Sequence, residues 1–182
     1  TFAFRQPAWA KELNIFEVDS PVTQEKKKSM LAEAGMAPPS NLCFAGIDFE
    51  KESLRDDLTR NSVNFTEPAF FSWLGVTMYL REEAIDAVLQ TIAQFPAGSE
   101  VVFTFSQPPD SLSRREKSYH SLLAGIVRQA GEPFISYFTA AAIQAKLHSA
   151  GFKTVFFLSS REAEDLYFRK RPRGLFMTQR AL

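Results

Sequence analysis

The chain has 182 residues, 45% of them hydrophobic and 23% charged, with 21 basic and 21 acidic side chains in balance. That profile fits one soluble globular domain spanning 1–182, long enough to bury roughly 70% of its unfolded surface without a metal or disulfide staple, and its zero net charge argues against a nucleic-acid partner. Cys43 stands alone, so no internal disulfide forms, and no apolar run approaches the ~18 residues of a membrane span. No signal-peptide pattern opens the chain, and a reduced, cytoplasmic setting is expected.

The first apolar run, 14–18 (NIFEV), reads as a strand. Ser20-Pro21 then supplies an N-cap and a proline at the first helical position, and Gly35 a helix-ending glycine, which predicts a helix over 21–34. A second strand is expected at 41–47 (NLCFAGI), followed by a short helix over 53–60 with Leu54 and Leu58 one turn apart. The run 69–74 (AFFSWL) gives a third strand, and Ile85, Val88, Leu89 and Ile92 place one apolar face on a helix at 81–94. A fourth strand, 100–106 (EVVFTFS), precedes a helix over 113–130 whose predicted inner face is Tyr119, Leu122, Leu123, Ile126 and Val127. Thr139 caps a helix carrying Ile143 and Leu147 that Gly151 ends, and strands follow at 154–159 (TVFFLS) and 174–182.

The strand runs are almost continuously apolar, as in parallel strands buried on both faces, and the alternation with helices predicts an α/β sandwich. Ligands of such sheets lie beyond the carboxyl ends of the strands. Asp19 and Asp48 stand at two such ends. A carboxylate there can take a ribose diol, and Phe49 can pack on a base; equally, Asp19 and Asp48 can serve as a helix cap and a turn cap.

Other chemistry is sparse. His120 and His148 fall on predicted helices without a partner at metal-ligand spacing, which predicts surface or half-buried roles. The eight glycines never form G-x-G, so no dinucleotide fingerprint or phosphate loop is present. Lys26 to Lys28 and the cluster Arg169, Lys170, Arg171 and Arg173 are expected to be solvated surface. The 18 phenylalanines sit mostly inside apolar runs and are expected in the core.

The segment "FEVDSPVTQEKK" resembles the E-V-D-x-P stretch of the leucine carboxyl methyltransferase family, in particular its bacterial S-adenosylmethionine-dependent branch. The likeness continues collinearly through "GIDFEKESLRDDL", "PAFFSWLGVTMYLREEAID", "PAGSEVVFTF" and "AGEPFISYFTAAAIQAKLHSAGF". It implies a class I methyltransferase fold, a Rossmann-like three-layer sandwich whose sheet is mostly parallel with one antiparallel strand. It implies S-adenosyl-L-methionine as cofactor, with Asp19 on the ribose hydroxyls and Asp48 and Phe49 at the adenine. Leu74 and Gly75 would lie beneath the methionine part. Relatives often carry an acid where Leu74 stands, so a backbone role is expected there, and Tyr79 would line the acceptor pocket. The family's glycine-rich loop and its strand would precede Thr1, so the resemblance implies the C-terminal two-thirds of a methyltransferase domain with its first strand missing. The implied reaction is O-methylation of a carboxylate or hydroxyl on a small molecule or a protein C-terminus. A nicotinamide-dependent oxidoreductase, or a non-catalytic protein that has lost its cofactor, are the alternatives.

Overall fold

The computed structural model describes residues 2–129 and 131–168, and its packing divides the chain into two compact units, Thr1–Phe65 and Thr66–Leu182. The first unit opens with two 3₁₀ turns, Phe2–Arg5 and Ala8–Glu12, then runs β1 (Ile15–Asp19), α1 (Pro21–Glu33), β2 (Leu42–Gly46) and α2 (Leu54–Arg60). β1 and β2 pair in parallel, Ile15 opposite Leu42 and Asp19 opposite Gly46, joined through α1.

The helix boundaries follow the predicted caps. Ser20 Oγ accepts the Thr23 amide, Pro21 begins α1, and Gly35 takes the left-handed conformation (φ +65°) just past its end. The buried side of α1 is not apolar. Gln24 lies there, and its amide nitrogen donates to the carbonyls of Glu17 in β1 and Ala45 in β2, both at 3.0 Å. A Cβ on Gly46 would stand 3.3 Å from Gln24 Oε1, so helix and strand approach closely here and any larger residue would have to displace the Gln24 side chain. Lys27 pairs with Glu17 beside the same strand. The amino-terminal turns are tied down by Asn41, whose side chain exchanges two amide hydrogen bonds of 3.0 Å with Gln6 and donates to the Ala10 and Leu13 carbonyls.

The second unit runs β3 (Phe70–Trp73), a 3₁₀ turn (Thr77–Tyr79), α3 (Glu82–Ile92), β4 (Glu100–Phe103), a 3₁₀ turn (Pro109–Ser111), α4 (Arg114–Gln129) and α5 (Ala140–Ala150). A short helix α6 (Ser160–Ala163) and a π turn (Glu164–Phe168) follow. β3 and β4 are parallel, with Phe70 opposite Glu100 and Trp73 opposite Phe103. The predicted stripe of α3 is buried as expected (Ile85, Val88, Leu89, Ile92) and shares the core with Ile143 and Leu147 of α5. Lys146 of α5 joins the two helices by ion pairs with Glu82 (3.1 Å) and Asp86 (3.0 Å).

Four expectations need correction. The run 154–159 is not a strand: its backbone joins no ladder among the described residues, and Phe156 is 89% exposed. Apolar content alone does not make a strand when no neighbour accepts its backbone groups. The fourth strand ends at Phe103 rather than Ser106, because the next residues serve loops: Thr104 binds Gly75 and Thr77, and the Ser106 carbonyl accepts the Phe138 amide at 2.9 Å. Burial on both faces does not hold for β3, where Phe71 and Trp73 turn inward while Phe70, Ser72 and Leu74 are exposed. Finally, the inner face of α4 is displaced. Tyr119, Leu122 and Ile126 are exposed, whereas His120 joins Leu123 and Val127 on the half-buried side. The strand expected at 174–182 and the basic cluster Arg169–Arg173 lie outside the described residues.

Candidate functional site

The carboxyl edge of the β1–β2 ladder collects the acidic residues. Asp19 is the last residue of β1, its carbonyl accepts the Ile47 amide at 2.9 Å, and Asp48 follows one residue later. Both predicted carboxylates are therefore brought to one sheet edge, next to the start of α1. Their surroundings differ. The half-buried Asp19 accepts its neighbour's Ser20 amide on Oδ1 at 2.7 Å and takes no other side-chain hydrogen bond among the described residues. Asp48 is spent on its own turn. Its Oδ1 accepts the Glu50 amide (3.1 Å), Oδ2 pairs with Lys51 Nζ (2.7 Å), and its backbone carbonyl accepts the amides of Lys51 and Glu52. The Lys51 hydrogen bond, with the Glu50 amide behind it, holds the Asp48 carboxyl below the usual carboxylate range, and Asp48 in turn raises Lys51. Phe49 is half-buried in that turn.

Leu74 and Gly75 occupy the carboxyl end of β3. Leu74 is 54% exposed and Gly75 is left-handed (φ +72°), with open space where a Cβ would point. The backbone there is fixed by one threonine of the neighbouring strand's end. Gly75 N donates to Thr104 Oγ1 at 2.8 Å, and the buried Thr77 donates its hydroxyl to the Thr104 carbonyl at 2.6 Å. Tyr79 follows, half-buried, with its ring 5.4 Å from that of Phe134. Burial, reinforced by the Glu132 carboxylate, raises its phenol above the ordinary tyrosine range.

The segment 134–138 is strapped across this edge. The amides of Ile135 and Ser136 both donate to the Met78 carbonyl, at 2.7 and 3.3 Å, and Ser136 Oγ donates to the Leu80 carbonyl. His120 of α4 packs against the strap, its ring 5.7 Å from Phe134 and 5.6 Å from Tyr137. Its Nε2 is buried without a hydrogen-bond partner, as is Nε1 of Trp73. His148, by contrast, is an exposed helix-end residue whose Nδ1 donates to the Phe152 carbonyl at 3.0 Å. Thr104, Ser136 and His120 had no signal in the sequence, because each acts through non-local contacts rather than through a periodic pattern. No group of three or more His, Cys, Asp or Glu that could hold a metal occurs among the described residues.

The family model of leucine carboxyl methyltransferase matches residues 1–93, just over half of the chain. The chain belongs to that family. A Bacillus subtilis (strain 168) protein named "Putative S-adenosyl-L-methionine-dependent methyltransferase YktD" is 33% identical over 176 residues, covering 96% of this chain and 58% of that protein. A Mycobacterium avium (strain 104) protein, "Putative S-adenosyl-L-methionine-dependent methyltransferase", is 32% identical over 114 residues, covering 60% of this chain and 35% of its own length. The chain thus spans a little over half of the first relative and about a third of the second. Among solved structures, the apo crystal structure of the S-adenosylmethionine-dependent methyltransferase SibL superposes with a TM-score of 0.51 at 16% identity, over 79% of this chain and 38% of that one. At that identity the likeness speaks for the fold: the β-α-β units of this chain are those of a Rossmann-like methyltransferase. No helix among the described residues is long and apolar enough to cross a membrane.

Proposed function

We propose that the protein acts as an S-adenosyl-L-methionine-dependent methyltransferase that methylates an oxygen of its acceptor, a carboxylate or a hydroxyl on a small molecule or a protein C-terminus. In this reading both compact units belong to one domain, and neither nucleic acid nor membrane is a partner. The observation that carries it is Asp19, a half-buried carboxylate at the carboxyl end of a parallel strand in a member of this family, with one oxygen still to be satisfied. Its chemistry fits the diol of a ribose, which donates two hydrogen bonds to one carboxylate. The bound cofactor supplies an activated methyl carbon on a neutral leaving group, so the protein's work is chiefly positioning.

Asp19 would hold the ribose, and Phe49 would stack on the adenine. Asp48 would reach the adenine amino group only in competition with Lys51, which makes its contribution smaller than that of Asp19. Gly75, fixed in a left-handed turn by Thr104, would present its backbone and that of Leu74 to the methionine part. Tyr79 would line the acceptor side.

Titration calorimetry of the full polypeptide with S-adenosylhomocysteine tests this. Binding is expected, and Asp19→Ala should weaken it by about 1–3 kcal/mol, the cost of leaving hydrogen-bonding groups unmatched. Unaltered affinity in that variant would reduce Asp19 to a helix-end residue. Binding of NAD in place of S-adenosylhomocysteine would favour an oxidoreductase, and binding of neither would indicate a non-catalytic relative.

A further inference from the structure

The cluster around His120 points to the class of acceptor, an inference that rests on the methyltransferase reading above. Buried polar atoms in folded proteins are almost always hydrogen-bonded, and an orphan is destabilising because its lost hydration is not replaced. Nε2 of His120 is such an orphan. It does not lie in a random part of the core. The rings of Phe134 and Tyr137 pack on the imidazole, and Tyr79 continues the row from Phe134. The strap carrying Phe134 and Tyr137 is bound to Met78 and Leu80 beyond β3 and to Ser106 beyond β4. The cluster therefore stands at the carboxyl edge of the β3–β4 ladder, where parallel sheets place their ligands.

We propose that His120 takes the proton of a phenol-like hydroxyl on the methyl acceptor, and that the acceptor is a planar aromatic hydroxy compound held against the row of rings formed by Tyr79, Phe134 and Tyr137. A carboxylate acceptor is ionised at neutral pH and needs no base. A phenol is not, and imidazole is the side chain suited to accept its proton there. The two tyrosines complete the donor set. Burial and Glu132 raise the Tyr79 phenol, and burial raises that of Tyr137 against an opposing pull from Arg128, so both remain protonated hydrogen-bond donors in the neutral range.

The balance is closed. The acceptor's O–H bond breaks and its proton goes to Nε2. The oxygen forms a bond to the methyl carbon, the carbon–sulfur bond breaks with its electron pair retained on sulfur, and the imidazolium returns its proton to water. Phe134 and Tyr137, both half-buried and packed on the imidazole, are the side chains that must turn aside for the acceptor to reach Nε2.

The test uses the full polypeptide saturated with S-adenosylhomocysteine and 4-nitrophenol as probe, whose phenolate absorbs visible light. Saturable binding with an increased phenolate fraction is expected below the probe's own pKa, with benzoate a weak competitor. His120→Phe keeps the ring and removes the nitrogen. It should melt no lower than the parent, bind S-adenosylhomocysteine unchanged and lose the phenolate signal. Should that variant not fold, His120→Gln, whose amide oxygen accepts a hydrogen bond but no proton, should lose the signal likewise. A phenolate signal that survives either folded variant, its absence from the parent, or benzoate displacing the probe at lower concentration overturns the proposal while leaving cofactor binding intact. Failure of the parent to bind S-adenosylhomocysteine overturns the methyltransferase reading itself.

Discussion

Replacing Gln24 should loosen the ladder that carries Asp19. The side chain is 4% exposed, and its amide nitrogen binds one carbonyl in each strand of the β1–β2 pair. A neutral hydrogen bond contributes about 0.5–1.5 kcal/mol net, so Gln24→Leu, which keeps most of the volume, should cost about 1–3 kcal/mol. Gln24→Ala adds a cavity and should cost more. Gln24→Glu separates hydrogen bonding from packing. Its carboxylate would face two carbonyl oxygens in a buried site, which favours the protonated form and raises its pKa in the folded state above the unfolded value. A raised carboxyl contributes stability that is fully present below the unfolded pKa and lost as pH rises through the folded one. Gln24→Glu should therefore approach the parent in acid and fall furthest behind at neutral pH. Hydrogen exchange at the amides of β1 and β2 reads this ladder locally and is the suitable assay. Protection of Ala45 and Ile47 that is unchanged in Gln24→Leu, or a Gln24→Glu variant indifferent to pH, would refute the reasoning.

Thermal melts of Gly151→Ala should show a loss of about 1 kcal/mol or more, since φ is +109° at that helix end and a Cβ is strained there. Ser20→Ala should cost about 1 kcal/mol through the lost cap on the Thr23 amide, read by exchange in the first turn of α1. Lys146 is half-buried; desolvation lowers its pKa, but the hydrogen bonds it donates to Asp86 and Glu82 outweigh that and raise it overall. Its contribution is accordingly complete below the unfolded lysine pKa and fades only as pH rises through the higher folded value, so Lys146→Met should destabilise at neutral pH and draw level with the parent in strong alkali. Thr104→Val removes the acceptor for the Gly75 amide while keeping the shape, and should weaken S-adenosylhomocysteine binding without a comparable loss of melting temperature.

Local signals made much of the fold legible before any coordinates. Caps and stops set the helices: Ser20 and Thr139 each accept an amide three residues on, and Gly35 and Gly151 each stand at a helix end in the left-handed conformation. These are short-range effects of single residues, so a sequence displays them directly. What failed was of another kind. The run 154–159 has the composition of a strand, but pairing depends on a partner's backbone and not on the run itself. Helix α4 carries two adjacent stripes, one with Tyr119, Leu122 and Ile126 and the other with His120, Leu123 and Val127. Hydropathy favours the first, while the second is the half-buried one, with the strap at 134–138 packed on its His120.

The same distinction explains the two aspartates. In sequence they look alike, each following an apolar run and preceding a helix start. Either suits a ligand or a cap, and spacing does not separate the two roles because Asp serves both. Surroundings separate them. Lys51, three residues after Asp48, is within reach on the same turn and binds its Oδ2, while Glu50 supplies an amide to Oδ1. Asp19 has no such neighbour. The next residue is the N-cap Ser20, whose hydroxyl is directed to Thr23, and then comes Pro21, which has no N–H to offer. A serine cap and a proline at N1 are both good helix starters, and together they leave the preceding carboxylate with one local donor. The Ser-Pro pair therefore begins α1 without consuming Asp19, and so keeps a carboxylate at the sheet edge available to a ligand.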